Sequence, residues 1–127
     1  MKNKSARKYF MTLLAMALLV VCIISAASAA TLKSSLYFNN VQTYAAKTST
    51  FDIGYDVTLK GKATKNSGSL ANTWYMKFSS RNSPNMYTDG IVRSWITSVS
   101  VSSNTYQAVN RYPDDGLISG SILCYQH

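Results

Sequence analysis

Few residues in this chain have types and spacing that could do chemistry. His127 is its single histidine and its last residue, three positions after Cys124. Nucleophilic catalysis wants a nucleophile, a base and an orienting group held together. On a strand, a spacing of three puts Cys124 and His127 on opposite faces, so a Cys–His pair would need the terminus to curl back. The five acidic groups are all Asp. Asp52 and Asp56, taken as one strand face, would stand about 13 Å apart at about 3.3 Å per residue, wider than the carboxylate pairs of typical glycosidases. Asp114 and Asp115 sit in a turn sequence. Either pair could touch a calcium ion, but the ligand spacing of a dedicated loop is missing. Zinc needs more His and Cys than the chain has. No catalytic residue, metal site or cofactor is therefore expected, and the chain reads as a non-enzyme.

The aromatic residues are more suggestive. Tyr75, Tyr87, Tyr106 and Tyr112 fall on expected outward faces or loops, with Arg93 and Arg111 close by in sequence. Exposed Tyr with Arg, Asn and Ser is the composition of recognition surfaces, which combine rigid contact area with adaptable hydrogen bonding. These six residues are the candidate ligand-binding set; the competing reading is ordinary strand tyrosine. Lys60, Lys62 and Lys65 form a small basic cluster with two readings. One is a patch for an anionic wall polymer or acidic lipid; the other is a charged strand end that discourages edge-to-edge pairing. Nucleic acid is not expected as a partner, since no recognised binding motif is present.

The elements that must position these residues read as strands. There is no Glu, and Ser, Thr, Asn, Tyr and Val dominate after residue 29, a bias that disfavours helix and suits pleated, half-exposed strands. Residues 31–35 read as a loose start, 36–44 as a first strand and 47–50 as a break. Phe51, Ile53, Tyr55, Val57 and Leu59 alternate with Asp52, Gly54, Asp56, Thr58 and Lys60, which predicts a half-buried strand. Residues 65–69 form a turn cluster. Trp74, Met76 and Phe78 mark a third strand ending near Ser80, and residues 81–85 a loop. Residues 91–102 are rich in β-branched side chains, with Trp95, Val99 and Val101 on one face and Val92 and Ile96 on the other. Ser103-Asn104 reads as a turn into a strand at 105–110. Pro113-Asp114-Asp115-Gly116 is a tight-turn sequence, and residues 117–125 close the chain. About six short antiparallel strands predict an all-β domain, a small sandwich or barrel.

Cys124 shares its predicted face with Ile118, Gly120 and Ile122. It reads as an inert core thiol, with a disulfide-linked dimer as the alternative.

The N-terminus reads as a segment apart. Lys2, Lys4, Arg7 and Lys8 precede an apolar run at 10–24 and then the small residues 25–30. This is the order of a secretory signal peptide of the bacterial type, with cleavage before Ala30 or Thr31. The apolar run is shorter than the roughly 20 residues of a stable membrane span. Thirteen Lys and Arg against five Asp make the whole chain +8; removing the leader's four basic residues leaves +4, and removes Cys22. Residues 30–127 are then one secreted, mildly cationic domain with no membrane span. The expected function is non-enzymatic binding at the cell envelope or outside the cell, to a glycan, wall polymer or surface protein. A bacteriocin-like antimicrobial or toxin-type effector acting on other cells' envelopes is the alternative, and a small hydrolase ranks last.

Overall fold

A Glu-free chain rich in Ser, Thr and Tyr favours pleated strands, and strands make up nearly all the regular structure of the computed structural model, which describes residues 30–66 and 73–127. The expected leader and most of the 65–69 turn lie outside the described residues. Nine strands are found among those described, not six: β1 (Thr31–Val41), β2 (Tyr44–Thr50), β3 (Asp56–Lys65), β4 (Thr73–Phe78), β5 (Arg81–Asn82), β6 (Met86–Tyr87), β7 (Arg93–Ser98), β8 (Ser103–Asn110) and β9 (Ile118–Gln126). They form two antiparallel sheets, β1-β9-β3-β7 and β2-β8-β4-β5, with β6 also on β4. The sheets stack as in a sandwich, β1 against β2, β9 against β8 and β3 against β4. The all-β class is as expected.

Several local expectations are corrected. Residues 31–35 are the first half of β1, because Ser34, Leu36 and Phe38 alternate inward. The supposed break at 47–50 belongs to β2, which pairs along its whole length with β8. A strand with one solvated face has no need of large apolar residues, and Thr suits it. The alternation at 51–59 is only partly a strand. Phe51 is buried, but Ile53 and Tyr55 are exposed around a turn at Gly54, whose φ of 87° suits glycine. The strand starts at Asp56, and its inward face runs Val57, Leu59, Gly61, Ala63. The small residues at its far end hid that continuation. Asp52 therefore does not share a strand face with Asp56; it lies 3.4 Å from Lys33. Residues 99–102 form a turn rather than the end of β7, and Val101 is exposed. Ser103 and Asn104 begin β8 instead of turning the chain.

The core lies between the sheets. Trp74, Tyr106, Phe78, Leu59, Met76, Ile118, Ile122, Val57 and Cys124 are its largest fully buried side chains. Burying an apolar side chain of Val, Leu, Ile, Phe or Met size contributes about 1.5–3 kcal/mol. Phe51 meets Phe78 edge-on at 5.3 Å, and Phe38 meets Trp74 at 6.2 Å. Small residues set the closest approaches. A Cβ on Gly61 would lie 2.6 Å from Met76 Sδ and 2.7 Å from Trp74 Cη2; one on Gly120 would lie 1.9 Å from the Lys62 carbonyl oxygen.

One polar contact ties the sheets together through the core. Tyr106 of β8 and Ser34 of β1 share a hydrogen bond of 2.7 Å. Cys124 lies beside Tyr106, and burial pushes the phenol and the thiol each up to about 12. The thiol has no exposed surface, the placement of an inert core thiol. At the open side of the sandwich, Lys47 of β2 lies on the inward face with Ala45 and Ser49, and its Nζ donates to Ser35 O of β1 (2.8 Å). An inward lysine of this kind blocks addition of a further strand at the β2 edge.

Two outcomes test this packing. Gly120→Ala should destabilise the fold more than Gly61→Ala, because its Cβ meets backbone that no rotamer change can clear. Overpacking of this sort costs about 1–3 kcal/mol or more, read as a lower urea midpoint; equal midpoints would contradict the close approach. Alkali tests the buried pair. Their folded pKa values lie above the ordinary 9.0 and 10.0, so the unfolded chain loses these protons first. Their contribution is fully present below pH 9 and lost as pH rises toward 12. The melting temperature should fall from about pH 9 upward, with a later onset in Cys124→Ala.

Candidate functional site

The β2-β8-β4-β5 sheet turns an outward face to solvent on which Tyr44, Val109 and Tyr75 stand side by side in register. Next to Tyr75 the chain builds a cleft of about 370 Å³, lined by Tyr75, Asn82, Ser83, Asn85 and Arg111. Ser83 fixes one wall. Its Oγ accepts from Met76 N and donates to Pro84 O, and its N donates to Met76 O, clamping the 83–85 loop against β4. Asn110 fixes the other. Buried at the end of β8, its Nδ2 donates to Gln42 O and Gly116 O, and its Oδ1 accepts from Tyr112 N. Arg111 N donates to Thr73 O at 3.2 Å, and the Arg111 guanidinium lies 5.7 Å from the Tyr112 ring. The turn beyond is the expected one, a short 3-10 turn at Pro113–Asp115 followed by Gly116 at φ 134°.

Of the six candidate residues, Tyr75 and Arg111 thus meet in one cleft, and Tyr112 adjoins it. Tyr87 pairs with Thr73 in the same sheet, one strand over from Tyr75, and is exposed. Arg93 is committed elsewhere. It makes a bidentate pair with Asp89, 2.7 Å for each bond, and reaches Tyr87 O. That guanidinium, with the Ile91 N–H, holds the Asp89 carboxyl well below the usual carboxylate range, and Asp89 in turn raises Arg93. Tyr106 is a correction: it is fully buried, not outward. Its strand places Asn104, Tyr106, Ala108 and Asn110 inward and Thr105, Gln107 and Val109 outward, the opposite of what polarity suggests. Asn82, Ser83 and Asn85 line the cleft although the sequence reads 81–85 only as a loop; a run of Asn and Ser beside a strand carrying Tyr is the signal for a polar cleft wall.

The other sheet carries a shallow trough of about 430 Å³, lined by Tyr37, Lys60, Lys62, Val92, Gly120, Ser121 and Leu123. Register aligns Lys62 with Ser121 and Tyr37, and Lys60 with Leu123 and Ser35. The Lys60 ammonium stands 5.2 Å from the Tyr125 ring centre. β7 covers β3 only as far as Gly61, so Lys60 stands on a stretch paired on both sides, whereas Lys62 and Lys65 follow the last β7 partner, where a single bridge joins Thr64 to Asp89. The edge-protection reading of the basic cluster therefore fails for Lys60.

Cys124 and His127 do not meet. The thiol is in the core, whereas His127 Nε2 lies 2.7 Å from Thr58 Oγ1 at the outer face. Among the described residues no group of three His, Cys, Asp or Glu is placed to hold a metal ion. No protein-family model, curated protein or solved structure matches the chain.

The Asp89–Arg93 brace gives a local test. In Arg93→Ala, amides at 88–92 should exchange faster, on the order of tenfold, with those of β3 and β9 unchanged. In the parent chain the same loosening should appear as pH falls below the ordinary carboxylate value, since a depressed folded pKa makes the brace an interaction of the ionised form. Uniform acceleration across all strands would contradict a local role.

Proposed function

We propose that the chain is an exported, non-enzymatic binding domain that acts at the cell envelope or outside the cell, taking a glycan of a wall polymer in the Tyr75–Arg111 cleft. Residues 1–29 serve as its cleaved leader in this reading. What supports it is the convergence of Tyr75, Arg111, Asn82 and Asn85 on one concave surface held by Ser83 and Asn110. A planar ring offers apolar contact to a sugar face, while amides and a guanidinium offer hydrogen bonds to hydroxyl groups. The rigidity of the two walls lowers the ordering cost of binding.

Retention of the secreted chain on isolated cell walls tests this. Tyr75→Ala and Arg111→Ala should each reduce retention by roughly tenfold, the loss expected for a central aromatic or Arg contact. Arg93→Ala, which alters only the loop brace, should bind like the parent. Failure of the parent chain to be retained at low salt would refute the proposal. Mass spectrometry of secreted material should find Ala30 or Thr31 at the N-terminus; an intact leader would remove the export part of it.

A further inference from the structure

The trough on the β1-β9-β3-β7 sheet differs in chemistry from the cleft across the sandwich. Its size falls in the range of small-ligand sites. Leu123 and Val92 supply apolar surface, and Tyr37, 75% exposed, offers an uncovered aromatic ring. Lys60 and Lys62 project on the same face of β3, with backbone positions roughly 7 Å apart. Neither ammonium has a carboxylate partner among the described residues, where the ion pairs are Lys33–Asp52 and Arg93–Asp89. Asp89, which approaches the end of β3 through its bridge to Thr64, is already held by Arg93. Two like charges beside apolar surface repel each other and attract an anion. Ile91 and Ile96, both exposed, extend the apolar character beyond the trough on the β7 side.

We propose that this trough binds a single-chain anionic amphiphile, an alkyl or acyl phosphate. Its phosphate lies between the Lys60 and Lys62 ammonium groups, and its chain lies along Leu123, Val92 and Tyr37. Charge complementarity selects the head, and the apolar surface beside the lysines selects a ligand with a hydrocarbon tail over a bare ion.

Calorimetric titration of the secreted chain with dodecyl phosphate, kept below its micelle concentration, tests this. Saturable one-to-one binding is expected. It should weaken by about tenfold or more in the Lys60→Gln/Lys62→Gln double variant and in Val92→Asp, the loss expected when a charge-assisted contact disappears or a like charge enters. These side chains are exposed, and circular dichroism of each variant checks that the fold persists. Amide shifts in the parent chain, confined to Val92 and the facing stretches of β1, β3 and β9, give a measurement free of mutation. Dodecyl maltoside, with the same tail and no charge, should bind at least about tenfold more weakly, and inorganic phosphate should not displace the ligand. Equal affinity for the neutral amphiphile, unchanged affinity in both variants, or displacement by phosphate alone would each overturn the proposal. So would binding confined to vesicles containing acidic lipid, which would indicate a membrane surface instead. None of these outcomes touches the cleft at Tyr75 and Arg111.

Discussion

Pairing of the C-terminal strands with partners far away in sequence is the constraint on which the rest of this structure depends. β9 lies between β1 and β3 in one sheet, and β8 lies between β2 and β4 in the other. Until both arrive, the earlier strands have no hydrogen-bonded neighbours on those sides, so neither sheet can close. The Gln126 side chain completes the arrangement from the chain end: its amide exchanges two hydrogen bonds with the Asp52 backbone, 2.8 and 2.7 Å. His127 N adds a bond to Asp56 O. Such non-local pairing pays its loop-closure entropy before any contact rewards it, which makes folding slow and cooperative.

The same constraint dictates side-chain size in the middle of the sandwich. β9 and β3 approach closely enough that Gly120 faces the Lys62 backbone, and β3 lies close enough over β4 that Gly61 receives Trp74 and Met76. Bulk on one sheet is matched by its absence on the other, as close packing of an interior requires. The hydrogen bond between Tyr106 and Ser34 then gives this apolar interior a fixed register, since a shift of one sheet would strand two buried hydroxyl groups. One cost remains in the same region: Trp74 Nε1 is buried with no hydrogen-bond partner among the described residues.

Charge is used sparingly, and most of it has a structural task. Lys47 guards an open edge, Arg93 and Asp89 brace a loop, and Lys33 lies beside Asp52. Lys60 and Lys62 on one face and Arg111 on the other stand outside the ion pairs found among the described residues. Those faces belong to different sheets, so the Tyr75–Arg111 cleft and the Lys60–Lys62 trough are chemically distinct: one amide- and tyrosine-lined, the other apolar with two cations.

The sequence by itself determined the all-β class, through its lack of helix formers and its repeated alternation. It determined the strand at Trp74, Met76 and Phe78, the tight turn at 113–116 and the burial of the face carrying Ile118, Ile122 and Cys124, because each rests on contacts within a few residues. Part of the cleft was legible too, as Tyr75 and Arg111. What only the tertiary structure decided was which face of each strand lies inward and which strands are neighbours. Polarity misplaced Tyr106, because alternation groups Asn104, Tyr106, Ala108 and Asn110 together without saying that this half-polar set is the buried one. Nor could it reveal that β3 is an interior strand, that 47–50 pairs with β8, or that Asn82 and Asn85 stand opposite Arg111. Those facts come from pairings between segments far apart in the chain, and local alternation carries no information about the partner that closes them.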